Sequence, residues 1–231
     1  MARTPMARTP RAGTPRARET RRHAALALLE FETLACGILA GDRMVKRAPI
    51  ALLRCGTVHP GRFLVLVGGS VASTEEAFRA GVEVGETERA LRDCVLLSDV
   101  HPALHDAVLG TRRELVGEAL AVIETTASPA LLAAVDAAVK GTPVGIGEVR
   151  LADDLGGRAL ALLSGSLTDA AAAVEICVER AGNQLLRTAL LPRLDGSLRL
   201  LLDATTRFAA SPHLEPAGAE YPEEATCSWD G

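Results

Sequence analysis

The stretch Ala25-Leu26-Ala27-Leu28-Leu29-Glu30 returns in the second half of the chain as Ala119-Leu120-Ala121-Val122-Ile123-Glu124, a spacing of 94 residues. The same spacing pairs Lys46 with Lys140, and these are the only two lysines among the 231 residues. Further along, the spacing becomes 96 and pairs Gly61-Arg62 with Gly157-Arg158 and Gly69-Ser70 with Gly165-Ser166. Such self-similarity indicates two copies of one domain, and the second copy has two extra residues between Pro143 and Gly157.

Within each copy, the apolar periodicity predicts strand, helix, strand, strand, helix, strand and then a short helix. The first helix of copy one is predicted over Thr33–Arg47, with Leu34, Ile38 and Val45 on a helical spacing as its apolar stripe. We therefore predict an α/β (α+β sandwich) fold of two tandem ferredoxin-like βαββαβ domains, with the helices on one face of each antiparallel sheet.

Three local signals set element boundaries in copy one. Strand Arg62–Val67 is expected to end at Gly68-Gly69, because glycine weakens a strand. Ser73 with Glu76 three residues later is typical of a capping box that opens the next helix. The fourth strand is predicted over Cys94–Val100.

The two ends of the chain differ in composition from the middle. Residues 1–22 contain seven arginines and one acid, whereas no lysine or arginine but five acids follow Arg207. Both ends are also rich in Pro, Thr, Ser or Gly, which favours disorder. We expect a disordered basic arm over 1–23, domains over 24–112 and 113–207, and a disordered acidic tail over 208–231.

Composition excludes several classes of protein. The net charge of −4 argues against general nucleic-acid binding. The longest stretch without a charged residue, Phe63–Thr74, is far shorter than the roughly 20 residues of a membrane span, and the apolar segment behind the basic arm is too short for a signal peptide. Five cysteines without a CxxC pair predict a reducing cytoplasm.

The run Leu28-Leu29-Glu30, the segment from Gly41 to Pro49 and the segment from Pro60 to Gly69 resemble the bacterial microcompartment shell domain. The second copy matches with Val122-Ile123-Glu124, Asp136 to Lys140 and Gly156-Gly157-Arg158. Two such domains in one chain, in unpermuted strand order, resemble the tandem-domain shell proteins, and most of all those of propanediol-utilising microcompartments.

This resemblance implies a structural protein and not an enzyme. Its relatives form homotrimers with a hexagonal outline that tile with hexameric and pentameric shell proteins in the cytoplasm. A central pore passes small metabolites, or electrons. No membrane or nucleic acid is an expected partner, and no HExxH, GxSxG or P-loop motif is present.

The resemblance also assigns site residues. Lys46 and Lys140 are expected at the tile edge, although a lysine near a helix C-terminus is also favourable by itself. The turns between strands two and three are expected to line the pore, although each also reads as an ordinary hairpin turn. The pore-lining residues would be His59, Pro60, Gly61, Asp153, Asp154, Leu155 and Gly156.

His59 raises the question of a cofactor. In the propanediol-utilising relatives a cysteine stands here, and three copies hold an iron–sulfur cluster. Imidazole replaces cysteine only in special clusters, so we expect no cofactor; three His59 side chains on a threefold axis could instead bind one metal ion. A metal- or iron–sulfur-carrying redox pore protein therefore remains one alternative, and a ferredoxin-like small-molecule sensor another.

Overall fold

Each repeated apolar run lies in the interior of an antiparallel sheet. The computed structural model describes residues 22–214 and residue 216, so most of the predicted basic arm (1–23) and acidic tail (208–231) lies outside the described residues. The first domain contains β1 (Ala25–Phe31), α1 (Leu34–Arg47), β2 (Leu52–Val58), β3 (Arg62–Gly69), α2 (Val71–Thr87), β4 (Leu91–Leu97) and α3 (Pro102–Val108). The second contains β5 (Ala119–Thr125), α4 (Ser128–Gly141), β6 (Gly145–Leu151), β7 (Ala159–Gly165), α5 (Leu167–Ala181), β8 (Leu185–Leu191) and α6 (Gly196–Ala204). Short 3-10 helices cover Gly182–Gln184 and Phe208–Ala210.

The sheet orders are β2-β3-β1-β4 and β6-β7-β5-β8, so both domains have the same antiparallel topology. This confirms the predicted pair of tandem ferredoxin-like domains in unpermuted order. The register also confirms the repeat, because Glu30 lies opposite Leu64 and Glu124 lies opposite Leu160. The two extra residues of copy two lie in its hairpin, where the segment 152–158 is equivalent to 58–62 of copy one. Copy one still pairs Val58 with Arg62, whereas the last pair in copy two is Leu151 with Ala159.

Two of the predicted boundaries in copy one are wrong, and one is displaced. Strand β3 continues through Gly68-Gly69, where a Cβ at Gly68 would lie 2.7 Å from the Leu26 side chain. Glycine therefore makes room for packing there and does not end the strand. Helix α2 is capped by Ser70, whose hydroxyl accepts from the Ser73 N–H at 3.2 Å. Ser73 therefore lies inside the helix and is not its N-cap residue, as the predicted capping box required. Strand β4 begins three residues earlier than predicted.

The apolar stripe predicted for α1 is also wrong. The helix buries the small residues Cys36, Gly37, Ala40 and Gly41 together with Met44 against the sheet. A Cβ on Gly37 would lie 2.4 Å from the Phe63 ring, so close helix–sheet packing requires small residues on that face. The larger residues predicted to form the stripe, Leu34, Ile38 and Val45, are exposed.

The core extends from one domain into the other. Helices α1 and α2 cover one face of the first sheet. Leu104 and Val108 of α3 instead share an apolar cluster with Leu28 and Leu66 on the opposite face, so the prediction of helices on one face is wrong for α3. The same apolar cluster continues into the second domain. Helix α4 packs against β4, and α3 against β6, so the two domains share a junction made by these four elements. None of the helices described has the length and apolar character needed to cross a membrane.

Candidate functional site

Glu30, at the end of the first repeated run, is completely buried at the junction of the two domains. Its Oε1 accepts from a guanidinium nitrogen of Arg62 at 2.9 Å, and its Oε2 accepts from the Ser128 N–H at 2.8 Å. Arg92 approaches to 3.6 Å. Burial raises the pKa of Glu30, while the bonds from Ser128 and Arg62 oppose that rise. This carboxylate is therefore a structural acceptor that joins both domains.

The N-terminus of α4 is capped by the first domain. Its N-cap residue is Ala127, which has no side-chain oxygen, so the first N–H groups lack a partner within the helix. Glu30 accepts the Ser128 N–H, and Asp93 accepts the Ala130 N–H at 3.0 Å. Helix α1, by contrast, begins with its own cap at Thr33. Helix α4 is therefore satisfied only when the first domain lies beside it.

The two predicted pore turns lie side by side. Arg62, which follows the first turn, donates to the Gly157 carbonyl at 3.1 Å and to the Thr126 carbonyl at 3.3 Å. A Cβ on Gly157 would lie 3.0 Å from Pro60 and 2.7 Å from the Arg62 guanidinium. Only glycine allows this approach, and its φ of +82° also favours glycine. One arginine therefore positions both turns.

The predicted pore residues are mostly exposed. His59, Pro60 and Gly61 form the tip of the first turn, and Asp153, Asp154 and Gly156 are exposed in the second, with Leu155 half-buried. The two aspartates are not free charges, because Arg207 forms an ion pair with Asp154 and approaches Asp153 at 3.6 Å. Over the described residues, no three His, Cys, Asp or Glu side chains of one chain converge in a metal-binding group.

The two lysines have different surroundings despite equivalent positions. Lys46 is exposed and, among the residues that the structure describes, pairs only with Asp42, at 2.7 Å. Lys140 pairs with Asp136 at 2.6 Å and donates to the carbonyl of Asp99 in the first domain. Asp136 also accepts the His101 N–H at 2.9 Å. Lys140 therefore belongs to the domain junction, where Lys46 has no corresponding neighbour among the described residues.

Sequence reasoning missed the surfaces that correspond to this junction but lack a neighbour. Leu132 and Val139 of α4 are 0% and 7% exposed, whereas their counterparts Ile38 and Val45 of α1 are 59% and 46% exposed. Leu104 of α3 is 0% exposed, and its α6 counterpart Leu198 is 42% exposed. A position-by-position comparison of the two repeats could have found these surfaces. Both copies carry large apolar residues on a face of the first helix that does not pack against the sheet of its own domain.

A histidine pair fixes the start of the described chain to α3. The His23 N–H donates to His105 Nε2 at 3.1 Å, and Arg22 binds Asp106 at 2.8 Å. Arg113 also reaches Asp106, at 3.1 Å. Burial, followed by the charge of His105, lowers the pKa of His23 below its ordinary value of 6.5.

This pKa shift predicts a stability that depends on pH. Because the folded state favours neutral His23, its contribution is present above pH 6.5 and is lost as the pH falls through that value towards the folded pKa. We expect the Tm to fall by roughly a few degrees between pH 7.5 and pH 5.5 in thermal unfolding, and to fall less in His23→Gln. An equal fall in both proteins would show that His23 is not responsible.

Comparison with known proteins identifies both domains. The BMC domain family matches residues 25–100 and 119–194. The chain is 31% identical over 173 residues to the bacterial microcompartment shell protein PduT of Citrobacter freundii, covering 73% of this chain and 92% of that protein. The crystal structure of a microcompartments protein from Desulfitobacterium hafniense DCB is 29% identical, covers 76% of this chain and 98% of its own, and superposes with a TM-score of 0.67. The chain therefore belongs to the bacterial microcompartment shell proteins, with two BMC domains in tandem.

Proposed function

We propose that three copies of the chain close into a ring of six domains, which serves as a structural, non-enzymatic tile of a microcompartment shell in the bacterial cytoplasm. The observation that carries this proposal is the junction between the two domains. The elements of that junction have counterparts on the other domain. Helix α1 and strand β2 of the first domain correspond to α4 and β6, and β8 and α6 of the second domain correspond to β4 and α3. These counterparts carry exposed residues because no domain lies against them in the single chain.

The two surfaces without a neighbour are expected to fit each other, because they are the counterparts of two surfaces that already pack together within the chain. Within the chain, α4 packs on β4 and α3 packs on β6. The corresponding contacts between copies would place α1 on β8 and α6 on β2 of neighbouring chains. Such head-to-tail contacts generate a closed ring when the rotation closes. A six-domain ring contains three chains, and its near-sixfold outline suits a tile that fills a plane with other hexameric and pentameric shell proteins.

The polar part of the junction is repeated as well. Glu124 and Arg158 stand where Glu30 and Arg62 stand, but within the described chain they are half-buried and exposed. In the ring, Glu124 would accept the N–H at the start of α1 in the next copy. Arg158 would donate to the Gly61 carbonyl there. Each contact between chains would then reproduce the bridge that Arg62 forms inside the chain.

The same ring brings the turns to its axis. Because Arg62 already holds the two turns of one chain together, three chains would surround the axis with six alternating turns. His59-Pro60-Gly61 would alternate with the longer segment Asp153–Gly156. We propose that this opening passes small polar metabolites, which would meet exposed backbone N–H groups, imidazoles and partly neutralised carboxylates.

The turn residues do not fit an iron–sulfur cluster. His59 replaces the cysteine, and no thiol lies in either turn. The thiol nearest to His59 in sequence, Cys55, lies on β2 rather than in the turn. A metal ion held by three imidazoles would need His59 from three chains, and no contact within the described chain supports it. The matched proteins reported above likewise provide no support for a redox or sensor role.

The proposal is tested by mass and by electron microscopy. The purified protein should have three times the chain mass of 24.1 kDa in light scattering and should form sheets or shells, alone or with single-domain shell proteins. In Lys46→Ala/Lys140→Ala, we expect the trimer to persist, because both lysine side chains are partly exposed, at 71% and 39%, and the apolar contacts of each junction remain. We expect the sheets to be lost, because the exposed ammonium groups are proposed to contact the next tile. Alanine avoids the repulsion from Asp136 that an acidic replacement of Lys140 would introduce.

Arg180→Ala, an exposed change on α5, is the matched control and should still form sheets. Normal sheets from the double lysine variant would show that the lysines are not at the tile edge. A wild-type protein that remains a single chain at micromolar concentration would overturn the proposed ring.

A further inference from the structure

A cavity of about 380 Å³ lies where the end of α3 meets β2, β3 and β6. Its apolar side consists of Leu28, Leu64 and Leu66 from the first sheet, with Ala107 and Val108 from α3. The volume lies within the range of about 300–1,000 Å³ that is usual for small-molecule sites. A ligand-sized cavity is what a sensor would require, yet here it lies at the domain junction of a shell protein.

The polar side of the cavity carries an excess of guanidinium groups. Arg54, Arg112, Arg150 and Arg207 line it, with only Glu148 and Asp153 as acids. Arg112 pairs with Glu148, and Arg207 pairs with Asp154 and approaches Asp153. Arg54 forms no ion pair with any residue that the structure describes. The positive charge around the cavity is therefore only partly balanced.

Two of these guanidinium groups contain buried donors without an acceptor. The Nε atoms of Arg112 and Arg150 are buried and have no hydrogen-bond partner among the described residues. The terminal nitrogens of Arg150 are occupied, since they donate to Thr206 at 3.1 Å and to the Asp153 carbonyl at 3.2 Å. Burial lowers the pKa of Arg150, and the nearby charge of Arg207 adds to this effect. These two Nε atoms are closed off from the cavity, so an anion would meet the accessible parts of the guanidinium groups instead. Arg54 is exposed, and the side chains of Arg112 and Arg207 are 29% and 41% exposed.

We propose that this cavity binds a small organic anion, with a carboxylate or phosphate head against the guanidinium groups and a short apolar chain against Leu28, Leu64 and Leu66. All the described walls belong to one chain, so a single chain already contains the site. In the proposed ring, β2, which carries Arg54, would also face α6 of the neighbouring chain. It goes beyond the structural role, because it gives each tile a ligand site away from the two turns. Amphiphilic anions combine the two chemistries that the walls present.

The test is calorimetric titration of the full-length protein with hexanoate, with its neutral counterpart hexanamide and with inorganic phosphate. We expect one saturable hexanoate site per chain and at least tenfold weaker binding of hexanamide. Absence of saturable hexanoate binding, or equal affinity for hexanamide, would overturn the proposal. Phosphate bound as tightly as hexanoate would overturn the assignment of an apolar chain.

Two variants locate the site. Arg150→Gln should weaken hexanoate binding at least tenfold, and Arg54→Gln should weaken it severalfold. The second change removes an exposed side chain with no described hydrogen bond, so it reports on binding even if Arg150→Gln is poorly folded. Because Arg54 lies on β2, which faces a neighbouring chain in the proposed ring, light scattering of each variant separates a loss of binding from a loss of the trimer. Arg180→Gln on α5 is the charge-matched control and should bind as the wild type does. Unchanged affinity in both cavity variants would place any bound hexanoate elsewhere.

Discussion

Replacement of Ile38 by aspartate is expected to convert a particle of three chains into single chains of 24.1 kDa. Ile38 is 59% exposed in the chain, but its counterpart Leu132 is 0% exposed at the domain junction. In the ring, Ile38 would occupy the same environment between chains. An unpaired carboxylate there costs several kcal/mol per contact, and the ring contains three such contacts. We expect the apparent dissociation constant to rise more than 100-fold.

The single chains should remain folded, because Ile38 does not contribute to the core of its own domain. Light scattering measures the mass, and far-ultraviolet circular dichroism with thermal unfolding verifies the fold. Val178→Asp is the matched control, since Val178 is also an exposed apolar helix residue, at 42%. It lies on α5, which packs on its own domain. A trimer that persists in Ile38→Asp would contradict the proposed contact between α1 and β8.

The second large effect is expected for Glu30→Gln. Glutamine preserves the shape, but it removes the negative charge that faces Arg62 and Arg92 in a buried position. Removing one partner of a buried ion pair typically costs about 3–5 kcal/mol. Glu32 lies 2.8 Å from Arg92 and 3.7 Å from Arg62, so it compensates in part. We therefore expect the free energy of unfolding to fall by about 3 kcal/mol.

The repeat provides a control for this measurement. Glu124 is the counterpart of Glu30 but is only half-buried within the chain. Both variants are made in the Ile38→Asp background, so that urea unfolding is measured without assembly. Glu124→Gln should unfold there like its parent and should weaken the trimer only when Ile38 is restored. Equal destabilisation by both changes in the single chain would show that Glu30 has no special role at the junction.

The repeat itself predicted most of the fold. Continuous apolar runs that end at Glu30 and Glu124, Pro49 and Pro143 after the first helices, and the Gly-rich turns were enough to place strands, helices and hairpins. Local rules failed where packing decided the outcome. Gly68 stays within its strand because Leu26 needs the space, and Ser70 caps α2 one turn earlier than the sequence signal at Ser73.

The sequence predicted which residues belong to the candidate site, but not the burial and contacts of each residue. The positions of Lys46 and Lys140, or of Glu30 and Glu124, cannot be distinguished by a repeat that makes them equivalent. The two copies differ because only one junction forms within the chain. Helix α4 and strand β6 of the second domain lie against the first domain, whereas α1 of the first domain and β8 of the second domain have no described neighbour of this kind. The role of Arg62 between the two turns also depends on Gly157, which is 95 residues away in the chain.

The sequence by itself therefore determined the duplicated βαββαβ domain, because this follows from the repeat, the apolar periodicity and the turn residues. It indicated the family and the unpermuted strand order through the resemblance of its motifs between Leu28 and Gly69 and their copies. Tertiary structure alone decided which residues form the junction, since that depends on contacts between residues 35 to 98 positions apart in the chain. It also decided that α4 takes its cap from Glu30 and Asp93. Burial is a property of neighbours in space, and two identical stretches acquire different burial when only one of them has a neighbour.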